Sequence, residues 1–166
     1  MKTYYRLIIL LYTFALALYF SLIVFNNLAD YNSNFLSVKG ILDMSEVIKD
    51  SIAWRSIESP YIHHTFYILI IIFEFIIAVL YWIGFIDMIR TFRRSWIERP
   101  SAFKWVSASS FIVLLIFLLG FVVIGGEFFL SYRSATINSV IPGMRISTII
   151  IFYIILQIPY LSRMEL

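Results

Sequence analysis

Apolar and polar residues alternate along this chain in long blocks rather than in short periods. Residues 7 to 25 form an uninterrupted apolar run without a charge, long enough as a helix to cross about 30 Å of hydrocarbon. A second run starts after Ser59, which can cap a helix, and Pro60, which suits a first helical position where no N–H is needed; it reaches about residue 86 and carries one acid, Glu74. A third spans about 106 to 130 and contains Gly120, Gly125, Gly126 and Glu127. The fourth, about 146 to 161, is the shortest, with Gln157 and Pro159 near its end. The pattern predicts an all-α fold: a four-helix transmembrane bundle forming one integral membrane domain over residues 1–166. Ala15-Leu16-Ala17 matches a signal-peptide cleavage pattern, but the mostly apolar stretch that follows favours an uncleaved helix.

The polar blocks differ in kind. Residues 26–59 open with Asn26-Asn27-Leu28-Ala29-Asp30, whose amides and carboxylate are expected to end the first span through side-chain-to-backbone bonds. Further on, Asp43 and Glu46 resemble a capping pair, and Met44, Val47, Ile48 and Ile52 recur at helical spacing. That spacing predicts a short amphipathic helix lying on the membrane or on the bundle, closed by Trp54 and Arg55 at the interface. Residues 87–105 are the basic block, with Arg90, Arg93, Arg94, Arg99 and Lys104 around Trp96 and Trp105, and Pro100 argues against one straight helix there. A short loop with Arg133, Pro142-Gly143 and Arg145 precedes the last span.

Lysines and arginines orient the bundle. Lys2, Arg6, the dense basic block and Arg163 share one side; Lys39, Lys49, Arg55, Arg133 and Arg145 are scattered on the other. Both termini are therefore expected in the cytoplasm and the 26–59 loop outside.

Composition narrows the chemistry. The chain is 61% hydrophobic and 14% charged, against about 25% charged in soluble domains, which excludes a water-soluble monomer. It has no cysteine, so disulfides, thiol nucleophiles and cysteine-ligated clusters are excluded. The net charge of +3 sits beside the spans and forms no nucleic-acid surface. No phosphate-binding loop, nucleophile elbow, dinucleotide fingerprint or zinc-protease motif is present, and the expectation is a non-enzyme without a cofactor or metal.

The candidate chemistry lies at one level of the bundle. Asn26, Asn27 and Asp30 leave the first span there, Trp54 and Arg55 approach it, His63 and His64 begin the second span, and Glu127 nears the end of the third. These residues predict a ligand- or partner-binding cluster on the outer face, either a pocket or a packed network. His63 and His64 point roughly 100° apart on a helix, so they cannot grip one haem from both faces; a metal would need Glu127 and Asp30 as well. Glu74 lies eleven residues after His63, roughly 16 Å deeper on nearly the same face, in a stripe with Tyr67 and Tyr81. A carboxylate facing lipid costs several kcal/mol, so Glu74 should face the bundle, either as a proton-coupling group or as helix glue with a tyrosine partner. Gly125 and Gly126 either admit a ligand to the backbone or let two helices pack closely.

Three stretches carry a resemblance: Val24-Phe25-Asn26-Asn27-Leu28-Ala29-Asp30-Tyr31-Asn32-Ser33-Asn34-Phe35; then Trp54-Arg55-Ser56-Ile57 with His63-His64; then Gly125-Gly126-Glu127-Phe128-Phe129. In order and over nearly the whole length, they resemble a bacterial, mainly proteobacterial, family of predicted small integral membrane proteins of unknown function. The resemblance implies a four-span inner-membrane protein and no activity. Tyr132-Arg133 stands where that family often has a tryptophan–glutamine pair, which weakens any ligand role for that loop. Residues and resemblance together lead to the expectation of an accessory or scaffold protein. It would use the outer cluster to bind a membrane-protein partner, a lipid, a small ligand or further copies of itself. The rival expectation is an oligomeric proton-coupled transporter of small solutes using Glu74.

Overall fold

The structure, a computed structural model, describes residues 3–47, 50–92 and 101–161. Lys2, Ile48, Lys49, Arg93, Arg94, Trp96, Arg99, Pro100 and Arg163, on which parts of the sequence reading fall, lie outside the described residues. Every regular element among the described residues is helical: α1 (Thr3–Ala29), α2 (Tyr31–Leu42), a 3₁₀ turn (Asp50–Arg55), α3 (Pro60–Arg90), α4 (Ser101–Val113), a π-helical segment continuing α4 (Leu114–Phe128), a second 3₁₀ turn (Ser131–Arg133) and α5 (Val140–Leu161). Four of these are long and apolar enough to cross a membrane: α1, α3, Phe103–Phe128 and Val140–Pro159. The all-α, four-span architecture is as the hydrophobic blocks predict.

The side-chain distribution is that of a protein dissolved in lipid. Leu11, Phe25, Phe75, Phe111 and Phe152 point outward, while Thr13, Glu74, Ser109, Ser110 and Gln157 are buried. Lipid is as apolar as leucine, so apolar faces gain little by turning inward and polar groups lose much by turning outward. The interior is therefore a mixed layer in which Phe20, Ile77, Tyr81, Ile150 and Tyr153 surround hydroxyl pairs. Tyr81 and Ser110 bond at 3.0 Å, the Ser109 hydroxyl donates to the Ile77 carbonyl at 3.0 Å, and the Thr13 and Tyr153 hydroxyls bond to each other.

α1 and α3 run antiparallel in extended contact, with Ser21 beside Trp82 and Asn27 beside Glu74. In this register α3, about 46 Å long, projects roughly 18 Å past the end of α1. α2 and the following turns cover that projection and make one end of the bundle a capped end. Leu42, Met44, Val47, Phe129 and Leu130 form the cap's own apolar cluster.

Four local expectations are corrected. Asn26 and Asn27 do not end α1, which continues to Ala29, because Asn27 spends its amide on α3 instead of on its own backbone. Asp43 starts no amphipathic helix; it is the C-cap of α2, bonded by Lys39 and by the Ser45 N–H, and Met44 at φ 53° turns the chain away. The predicted helix is thus displaced to Tyr31–Leu42, and Ile52 and Trp54 lie in a 3₁₀ turn. Most of the third span is π-helical, closed by a hydrogen bond from the Phe129 N–H to the Ile124 carbonyl at 3.0 Å. Finally, Pro142, Gly143 and Arg145 are not loop residues but belong to the first turns of α5. Proline is tolerated so early in a helix, and the Asn138 side-chain oxygen accepts the Val140 N–H at 3.0 Å.

Candidate functional site

The inward stripe of α3 positions the site. His63, Tyr67, Glu74 and Tyr81 are all buried on one face, as the spacing along the chain requires. Ser59 stands at the N-cap without a side-chain bond, and Pro60 occupies the first position. His63 is 1% exposed and donates from Nε2 to the Ile57 carbonyl at 2.7 Å, which ties the incoming chain to the first turn of α3. Its Nδ1 is buried without a hydrogen-bond partner.

Glu74 is 3% exposed and accepts at Oε2 from the Asn27 side-chain nitrogen at 2.6 Å. The Tyr67 hydroxyl donates to the backbone carbonyl of the same Asn27 at 3.1 Å. This replaces two expectations. The carboxylate's hydrogen-bond partner is an asparagine rather than a tyrosine, and Glu74 is not set apart from the polar residues that end the first span. It lies level with the last turns of α1, because α3 extends beyond that helix.

The remaining candidates converge only in part. His64 is exposed; its ring stacks on Phe35 at 4.1 Å and 7°, and its Nδ1 bonds the Tyr31 hydroxyl at 2.9 Å. Arg55 donates to the Phe128 carbonyl at 3.3 Å, with its guanidinium 5.3 Å from the Trp54 ring and 5.5 Å from the Phe128 ring. Trp54 is 72% exposed and meets Phe128 edge to face. Asp30 caps α2, accepting the Ser33 N–H at 3.4 Å. Asn26 and Glu127 are exposed and stand outside these contacts. The single expected cluster is thus two groups: the Asn27–Glu74–Tyr67 clamp with the Tyr31–His64–Phe35 stack, joined where the Tyr67 ring lies 4.7 Å from that of Tyr31 and 6.1 Å from that of Phe35, and a Trp54–Arg55–Phe128 rim. Among the described residues no three His, Asp or Glu side chains gather closely enough to hold a metal ion.

A further contact at this end escaped the sequence reading. The Ser134 and Thr136 hydroxyls donate to the two oxygens of Glu46, joining the cap to the loop before α5. These bonds, Ser134 first, hold the Glu46 carboxyl below its ordinary value. Burial pushes Asp43 up, but its bonds to Lys39 and Ser45 outweigh that and hold it below its ordinary value. Tyr31 and Phe35 had a signal, two aromatics four residues apart facing one side of a helix; Ser134 and Thr136 had none, since their partner lies almost ninety residues away.

Chemically, these contacts bind and brace: they offer a cation between two rings, a stacked imidazole and a buried carboxylate under an amide. No curated protein and no solved structure matches the chain. Over residues 5–159 the chain matches, and it therefore belongs to, the family described as predicted small integral membrane protein (DUF2165).

Proposed function

We propose that this protein is a non-enzymatic accessory or scaffold subunit of a bacterial inner membrane, with both termini in the cytoplasm and the capped end outside. The observation that carries the reading is the Trp54–Arg55–Phe128 rim. It holds a 72% exposed indole beside a guanidinium whose position is fixed by two rings and a carbonyl. Tryptophan and arginine dominate the energetics of protein interfaces, and a preformed rim loses little entropy on binding. The partner is another membrane-protein subunit that meets the rim at headgroup level.

The test is gentle purification from native membranes, followed by identification of co-purifying polypeptides. Trp54→Ala should remove the partner while leaving the bundle folded, and Glu74→Gln should leave the partner bound. A bound chromophore or a stoichiometric metal would overturn the reading.

One observation favours a second reading, a proton-coupled transporter assembled from several copies. Glu74 is a buried acid on a spanning helix, held by a neutral amide rather than by a counter-charge. In that case the purified protein is a bare homo-oligomer and Glu74→Gln abolishes solute uptake with assembly intact.

A further inference from the structure

α1 and α5 meet over far less of their length than α1 and α3 do, and a groove of about 500 Å³ opens between them. Leu16, Phe20 and Ile150 form its buried floor, while Leu11, Tyr19 and Ile149 on its walls are exposed, so it opens sideways into lipid. Along α1 it extends from Ile8 to Phe20, roughly 18 Å, close to the hydrocarbon depth of one leaflet of a membrane about 30 Å thick.

Volume selects among occupants. An apolar cavity of about 150 Å³ takes the six carbons of benzene, so this groove has room for about twenty. A helix 10–12 Å across and of the same length would fill roughly 1,400–2,000 Å³ and could only rest on the rim. One fatty acyl chain fits the space.

Both walls then lead to polar groups at the same mouth. Arg145 stands one turn before Ile149 on the same face of α5, exposed and without an acidic partner among the described residues. Helical side chains tilt towards the N-terminus, so its long stem carries the guanidinium towards the nearer membrane surface. On α1, Asn26 continues the line of Tyr12 and Tyr19 at intervals of seven residues, and its side chain is exposed.

We propose that the α1–α5 groove is a binding site for one anionic phospholipid, with an acyl chain along the groove and the phosphate on Arg145, assisted by the Asn26 amide. This site is separate from the Trp54 rim and does not depend on the function proposed for it.

The test is native mass spectrometry of the full chain in non-ionic detergent, titrated with phosphatidylglycerol and with phosphatidylcholine. One phosphatidylglycerol should bind in preference to phosphatidylcholine. Arg145→Gln should weaken phosphatidylglycerol more than phosphatidylcholine, whose phosphate is already offset by its own choline cation, and so cut that preference about fivefold. Ala15→Phe, whose side chain enters the groove from an exposed wall position, should weaken both lipids alike. Equal affinity of the unmodified chain for the two lipids would overturn the proposal. So would full lipid retention in Ala15→Phe, or a dimer that Ala15→Phe dissociates, since the occupant would then be a second copy.

Discussion

Two helix seams in this bundle solve the same problem in opposite ways. Between α1 and α3 the contact is fastened by polar and aromatic side chains: Asn27 on Glu74, Tyr67 on the Asn27 carbonyl, Trp82 on Ser21 at 3.0 Å, and Phe20 stacked near Tyr81 at 5.9 Å. Between the π-helical segment and α5 the backbones themselves approach. A Cβ added to Gly125 would lie 2.6 Å from the Ser139 hydroxyl, one on Gly126 2.6 Å from a Val140 methyl, and one on Gly143 2.7 Å from the Phe117 carbonyl oxygen. The Ser139 hydroxyl donates directly to the Phe121 carbonyl at 2.7 Å. Water supplies no drive to join helices inside a bilayer, so association rests either on hydrogen bonds or on close packing. This chain uses one device on each side. Gly125 and Gly126 are packing residues.

The sharpest way to break the comparison is at Gly143. A leucine there meets a backbone oxygen, a Val122 methyl at 2.8 Å and the Phe121 Cβ at 3.0 Å, and the oxygen and the Cβ have no rotamer to escape into. Gly143→Leu should destabilise the bundle by about 3 kcal/mol or more, at the upper end of overpacking costs, read as a lowered unfolding midpoint in detergent. Gly120 is the internal control. The nearest atom to a Cβ there is the Leu115 carbonyl oxygen at 3.7 Å, so Gly120→Ala should be neutral or slightly stabilising. Equal costs at the two positions would show that the seam is not set by close approach.

The contrast also explains which features could be read from the chain alone. The four spans were legible because apolar blocks of that length have one use in a membrane. The inward face of α3 was legible because His63, Tyr67, Glu74 and Tyr81 share a helical stripe and the acid cannot face lipid. Span ends were not, because Asn26-Asn27 and Pro142-Gly143 look like loop residues until their tertiary partners are known. Asn27 turns to Glu74, and Gly143 lies under Phe117. The grouping of the polar residues at one end was legible only in part, for a similar reason. Level along the membrane normal was misread for Asn27, which stands beside Glu74 and not at the depth of His63, and position around the bundle, which gives His64 to Tyr31 and Arg55 to Phe128, could not be read at all. The π-helical register left no mark beyond its glycines.

The polar seam should respond more gently. Asn27→Ala leaves Glu74 buried with its amide gone, and the expected loss is about 1–2 kcal/mol. Glu74→Gln keeps a carbonyl oxygen for the Asn27 amide and should cost less. A double-mutant cycle between the two positions isolates the bond itself, with a coupling of about 0.6–1.7 kcal/mol expected from comparable bonds inside membranes. A coupling indistinguishable from zero would mean that the large side chains, not the hydrogen bond, hold α1 to α3.

The smallest effect is expected where the two seams are tied together. Glu46 follows α2, which packs on α3, and accepts hydroxyls from Ser134 and Thr136, which precede α5. Its carboxyl is held below the ordinary 4.5 by those hydroxyls, and the neighbouring Asp43 is held below 3.8 by Lys39 and Ser45 despite its burial. A depressed carboxyl stabilises the fold above its unfolded value, and that contribution is lost as the pH falls through the lower, folded value. The cap should therefore stay closed at neutral pH and loosen as acid is added below about pH 4, with the spans unaffected. Lys39 works in the opposite sense: the Asp43 bond holds it above 10.5, so its contribution persists below that value and disappears only as the pH rises further. Hydrogen exchange reads the acid limb directly. The Thr136 and Ile137 amides, which donate to the Ser134 oxygen, should lose protection on acidification, while the Gly143 amide, bonded to the Ser139 carbonyl inside the tight seam, should not. Glu46→Gln should flatten that pH response, because a neutral amide holds the same hydroxyls at every pH. If all three amides lost protection together, the cap and the seam would open as one unit, and the division between them would be wrong.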